Sequence, residues 1–314
     1  MSNSTDDCEK VSSTCPVEDT TYGYGPNLPG NAIYATIFAL CALAQLVHLI
    51  RYWRFWKVYT FLVCVACVSE CCGYVGRLLL HKNPWDGAAM SIQFILLMIS
   101  PSFLAAALYM TLRTLVEYFG TEHTKLPARL WTWPFVTADF VGFVCQCAGG
   151  IMASVGGSLG TVGTALMITG VTFQAVVIAV AGALAVDFGL RVWRQQGADA
   201  VKVLPFKLNI FFVSMAAALL LVLARCIYRI PELAEGVGGP LMRQEVEFMI
   251  FDGLYVFDIS PSAAKLADHY FRMIVLATML LTIVHPGHFA SEMRNCRKYA
   301  FTGERAGYEL CGDA

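Results

Sequence analysis

Charge is what this sequence has least of. Of its 314 residues only 14% are Asp, Glu, Lys or Arg, where soluble domains carry about 25%. The formal net charge is −1, so no basic surplus is on offer to a nucleic-acid partner. Histidine is also scarce. Of six histidines only His48 falls within a clear apolar run, near its end. An intramembrane zinc hydrolase needs His or carboxylate ligands converging in the membrane, so an enzyme of that kind is not expected. Neither Cys71-Cys72 nor Cys145-x-Cys147 has a His or acidic residue at ligand spacing, and no metal or other cofactor is expected. No phosphate-binding P-loop pattern appears, so any export would be uncoupled, gradient-driven or dependent on a partner. The segment from Met1 to Gly30 is polar and acidic, without a basic stretch ahead of an apolar core, and is not expected to be a cleavable signal peptide.

What fills the sequence instead is apolar. Hydrophobic residues make up 57% and the mean hydropathy is +0.59. They come in runs of about 20 residues, the length that crosses a bilayer as a helix. The spacing predicts spans at 31–50, 58–80, 88–111, 134–155, 163–187 and 207–228, with a seventh, irregular one within 245–284. Most of the twelve cysteines lie in these runs and are expected to pack as small hydrophobes.

Lys and Arg fall unevenly between the two sets of connections. Those after the odd-numbered spans, with the C-terminal tail, hold fourteen; the others, with the N-terminal segment, hold four. Positive charge stays cytosolic, which predicts an external N-terminus, a cytosolic C-terminus and an odd number of spans. The expected architecture is an all-α, seven-span bundle: an extracytoplasmic tail 1–30, a membrane domain 31–287 and a cytosolic tail 288–314. Asn3-Ser4-Thr5 then becomes a usable N-glycosylation site. Cys8 and Cys15 share that tail; a disulfide between them and two free thiols are both compatible with the sequence.

The few charges inside apolar runs stand out. Glu70 and Arg77 lie seven residues apart, on one face of a helix, about 10 Å apart along its axis. Each costs at least about 2.5–3.5 kcal/mol at the bilayer centre, so that face is predicted to look inward. Asp139 and Gln146 repeat the spacing in the fourth span, beside Gly142, Gly149 and Gly150, which are small enough for close helix contact. Arg225, Arg229 and Glu232 share a face at the end of the sixth, where Arg229 and Glu232 could also snorkel to the surface. Gln93 and Gln174 are the polar amides of the third and fifth spans, and Pro101 is a candidate kink. Glu245 and Asp252 open the seventh region.

Taken together and in order, Glu70 with Gly73-Tyr74-x-Gly76-Arg77, Pro101-Ser102-Phe103-x-Ala105-Ala106, Thr137-x-Asp139 with Gln146-x-x-Gly149-Gly150, Arg225-x-x-Tyr228-Arg229-x-x-Glu232, Phe251-Asp252-Gly253-Leu254 and His285-Pro286-Gly287 resemble the fungal RTA-like lipid-translocating exporter family. The resemblance runs from about Tyr22 to Gly287. It implies a multi-pass membrane protein of the plasma membrane, or of a vacuolar or other endomembrane. Family members are linked to resistance to toxic amphiphiles and to release of sphingoid long-chain bases, and relatives to porphyrin handling. The expected partners are therefore membrane lipids and a cationic amphiphilic lipid or drug.

One stretch departs from the family pattern. Tyr255–Arg272 separates two apolar pieces of about twelve residues, each covering roughly 18 Å and too short for a bilayer core of about 30 Å. Without those eighteen residues the region closes into one ordinary span of twenty-two. The reading adopted is a short in-frame intron left in the coding sequence; the rival is a re-entrant loop covered by protein or water.

Two accounts of the charges compete. One is a salt-bridge network that fixes helix order. The other is a polar cavity open to the outer leaflet, where Glu70 and Asp252 receive a cationic head group with Tyr74 alongside, and where Glu70 or Asp139 carries a coupling proton. The sequence favours a protein that moves amphiphilic lipids or drugs; the alternative is a seven-span lipid-sensing receptor.

Overall fold

The computed structural model describes residues 11–12, 15–17, 20, 23, 25–119, 132–155, 157–202, 206–234 and 273–289. Among these described residues seven α-helices follow in order: α1 Leu28–Arg51, α2 Trp53–Lys82, α3 Gly87–Phe119, α4 Trp133–Val155, α5 Gly157–Lys202, α6 Phe206–Ala234 and α7 Met273–Ile283, with a 3-10 turn at Pro286–Phe289. Six of them, α1 to α6, are long and apolar enough to cross a membrane. Asn3, Cys8, Glu245, Asp252 and the stretch 255–272 lie outside the described residues.

Local chemistry sets the helix starts. The Asn27 side chain accepts from Gly30 N–H at 3.0 Å, with Pro29 in the first turn of α1. Asp86 Oδ1 accepts from Ala88 N–H at 3.0 Å and Ala89 N–H at 3.2 Å ahead of α3. Between α4 and α5, Gly157 turns the chain with φ +61°, a conformation that costs other residues strain.

Three helices outrun their expected C-terminal limits by six residues or more; α3 runs on to Phe119 where the span was expected to close at 111. The connection expected from 188 onward is helical to Lys202, because Leu, Arg, Gln and Ala favour helix and no proline intervenes before Pro205. Asp187 and Arg191 pair across one turn there at 2.8 Å. The sixth helix continues through Pro231 to Ala234. Arg229 therefore belongs to a helix rather than to a loop.

Each helix packs against the next, α7 also packs on α1, and α3 reaches α5 and α6 as well as its sequence neighbours. The α4–α5 seam is the tightest. On α4, Gly142, Gln146 and Gly149 face Gly163, Met167, Gly170 and Gln174 of α5. A β-carbon at Gly149 would fall 2.6 Å from the Gly163 carbonyl oxygen, and one at Gly170 would fall 2.7 Å from that of Gly142. On α2, Gly73 and Gly76 let α3 approach through Leu97 and Gln93. These glycines set which buried polar groups meet.

A polar and aromatic clasp ties the last turn of the bundle to α1 and α2. Gly287 N–H donates to His285 Nδ1 at 3.0 Å, so the ring proton sits on Nε2, 2.8 Å from Thr60 Oγ1. Thr60 in turn donates to Trp56 O, and Tyr59 donates to Leu281 O at 3.0 Å. His285 is fully buried, stacked on His48 at 4.6 Å and Tyr52 at 5.2 Å between ring centres. His285→Ala removes the ring and orphans its partners, and is expected to lower stability by about 2–4 kcal/mol. Denaturant unfolding of the purified protein in detergent measures this; an unchanged midpoint would show that the clasp does not hold α7.

Candidate polar site inside the bundle

The charged face of α2 does look inward: Glu70 and Arg77 are both fully buried. They are not partners of one another. Arg77 Nε donates to Asn31 Oδ1 of α1 at 3.1 Å. Glu70 meets α6 instead, where Arg225 Nη2 lies 3.7 Å from Glu70 Oε1. Arg225 Nη2 also donates to the Leu97 carbonyl of α3 at 3.0 Å. Three helices thus converge on one ion pair.

The two ion pairs of this region differ in quality. Arg229 Nη1 reaches both oxygens of Glu232, at 3.0 and 2.9 Å. That pair is buried, with residue exposures of 6% and 3%, so it does not snorkel. At Glu70 the contact is longer than a charge-assisted hydrogen bond of about 2.7–2.9 Å, and the Ser100 side chain of α3 lies beside the carboxylate. One turn along α2, Tyr74 packs against Tyr34 and Phe38, with ring centres 5.1 and 5.7 Å away.

A second polar line joins α4, α5 and α3. Gln146 Nε2 donates to Gln174 Oε1 at 2.9 Å, and Gln174 Nε2 donates to Ser102 Oγ at 2.9 Å, next to Pro101. Gln146, Gln174, Arg225 and Arg229 together line a cavity whose free space is about 10 Å³, room for a single water. Met98 and Gln146 separate it from an apolar recess of similar size between Phe94, Ile99 and Phe143. Asp139 shares the Gln146 face of α4 and lies buried beside Tyr109 of α3. Gln93 is buried against Met90.

Sequence reasoning passed over Asn31, Ser102, Tyr109 and the Leu97 carbonyl. Asn31 carried one signal, a polar side chain at the head of an apolar run. The others looked like ordinary hydroxyls and backbone.

Residues 63–260 match the family described as RTA1 like protein. A sphingoid long-chain base transporter, RSB1, of Saccharomyces cerevisiae (strain Lalvin EC1118 / Prise de mousse) is 27% identical over 254 residues, covering 70% of this chain and 62% of its own. Protein RTM1 of Saccharomyces cerevisiae is 31% identical over 196 residues, covering 60% of each chain. Protoporphyrin uptake protein 1 of the same species, strain ATCC 204508 / S288c, is 30% identical over 191 residues, covering 60% of this chain and 61% of its own. The chain spans about three fifths of the length of these relatives. No solved structure matches it significantly. With six membrane-length helices and a family match over more than half its length, this chain is a membrane protein that belongs to the RTA1-like family.

Proposed function

We propose that this protein moves long-chain amphiphilic cations across its membrane, with Glu70 as the group that receives the cationic head. One observation carries the reading: a fully buried carboxylate whose arginine partner stands off at 3.7 Å, beyond hydrogen-bond length. A carboxylate held this way keeps acceptor capacity that a protonated amine can use. Similarity to a protein named as a sphingoid long-chain base transporter supports the substrate class, since such a base pairs an ammonium with one long chain. Tyr74, Gln146 and Gln174 complete the polar lining; Asp139 is the second carboxyl and the candidate for a coupled proton.

The seven-span topology with an external N-terminus belongs to the same proposal. Three observations support it. Gly287 packs against Tyr52, which brings the end of α7 to the α1–α2 turn. His81 contacts the Pro26 carbonyl at 2.6 Å, which brings the segment before α1 to the opposite end. Cys15 is disulfide-bonded, and disulfides persist in oxidising compartments. The plasma membrane is the proposed location.

The stretch 255–272 remains proposed as a retained intron. The family match breaks off at residue 260, inside that stretch and before the apolar run ending at His285. Sequencing the mature transcript is expected to find it spliced out; a dominant message that contains it would return the segment to the working protein as a re-entrant loop.

A lipid-sensing receptor is the second reading, and the small space beside Arg225 favours it: among the described residues it admits a water and not a head group. Equilibrium binding of a C18 sphingoid base, together with its flux across vesicles holding the purified protein, separates the two. Binding with protein-dependent flux supports the transporter; saturable binding without flux supports the receptor.

A further inference from the structure

Resting on the reading of Glu70 as a cation site, we propose that Arg225 is the resident cation of that site, which the ammonium of a long-chain base replaces. An empty anionic site in an apolar interior is costly, because an unpaired buried charge loses its hydration without compensation. A built-in cation removes that cost, provided it can leave.

The geometry around Arg225 suits departure. Its contact with Glu70 is 3.7 Å, beyond hydrogen-bond length, while the neighbouring Arg229–Glu232 pair closes to 2.9 Å. The same Nη2 is held independently by the Leu97 carbonyl at 3.0 Å. The guanidinium therefore keeps that anchor when the carboxylate is taken. On its other side lies the small cavity shared with Gln146 and Gln174, whose amide oxygens are acceptors for a guanidinium. Exchange adds one positive charge to the buried set, which falls on Arg225 and is met by the Leu97 carbonyl and the neighbouring amide oxygens. Arg225 is then a positioning and selectivity residue: it sets how strongly a head group must compete to enter, and it returns to Glu70 as the head group leaves.

The test is equilibrium binding of a C18 sphingoid base to the purified full chain in detergent, with the uncharged N-acetyl derivative as control. Glu70→Gln comes first. If it binds the base as the wild type does, the cation site itself is misassigned and the functional reading fails. If it binds weakly, the variants at Arg225 test the exchange. Arg225→Gln removes the competitor, so the base is expected to bind at least about tenfold tighter, with the N-acetyl derivative unchanged. Arg225→Lys keeps a competing cation, and its affinity is expected to stay near the wild-type value. Equal or weaker binding by Arg225→Gln overturns the proposal. If Arg225→Gln does not fold alone, purification in the presence of the base decides. Recovery of folded protein by the base and not by the N-acetyl derivative supports exchange, and no recovery overturns it. The double variant Glu70→Gln/Arg225→Gln is expected to treat the base and its N-acetyl derivative alike.

Discussion

Glu70→Gln is expected to abolish protein-dependent tolerance of long-chain bases while leaving expression and folding intact. The physical reason lies in what the substitution keeps and removes. Glutamine has nearly the same shape, and the Leu97 carbonyl still accepts from Arg225, so the junction of α2, α3 and α6 keeps that contact. It loses the negative charge, the one feature that attracts an ammonium into an apolar interior. Truncating one partner of a buried charge pair typically costs about 2–5 kcal/mol, so base affinity is expected to fall by well over tenfold. Growth on inhibitory base, with surface expression measured in parallel, reads the effect. Retained tolerance at normal expression would return Glu70 to a purely structural network.

Gly149→Leu is expected to destabilise the bundle clearly, and Gly150→Leu, its neighbour, only slightly. A β-carbon at Gly149 meets backbone of α5: the Gly163 carbonyl at 2.6 Å and the Met167 nitrogen at 2.8 Å. Backbone cannot step aside as a flexible side chain does, so α4 and α5 must separate. Overpacking of this kind typically costs about 1–3 kcal/mol and occasionally more. Separation also breaks the Gln146–Gln174 hydrogen bond on the same seam. At Gly150 the nearest heavy atom is Met167 Sδ at 3.7 Å, an ordinary contact with a side chain that can move. The recovery of monodisperse protein after detergent extraction, followed by its thermal midpoint, compares the two. Equal tolerance of both leucines would contradict the packing described for this seam.

The six membrane-length helices were legible in the sequence because apolar runs of span length have few alternative explanations, and each run became one helix. The inward burial of Glu70, Arg77, Asp139 and Arg225 followed from the cost of placing them against lipid. Partner choice did not follow. Seven-residue spacing puts Glu70 and Arg77 on one face, yet each pairs with a different helix, Arg225 on α6 and Asn31 on α1. Which helices meet is decided by glycine contacts such as Gly73 against Leu97, and a single sequence does not display them. The Gln146–Gln174–Ser102 line was half visible: the two amides were evident and the serine was not. The length of α5 was misread because Arg, Gln and Ala in 188–202 look like a polar loop while favouring helix.

The central claim is that this chain itself moves a cationic amphiphile. The most direct test is release of a labelled sphingoid base from vesicles containing the purified protein, beside matched empty vesicles. The account predicts protein-dependent release that Glu70→Gln removes. Release equal to that of empty vesicles, in protein that binds the base saturably, would contradict it.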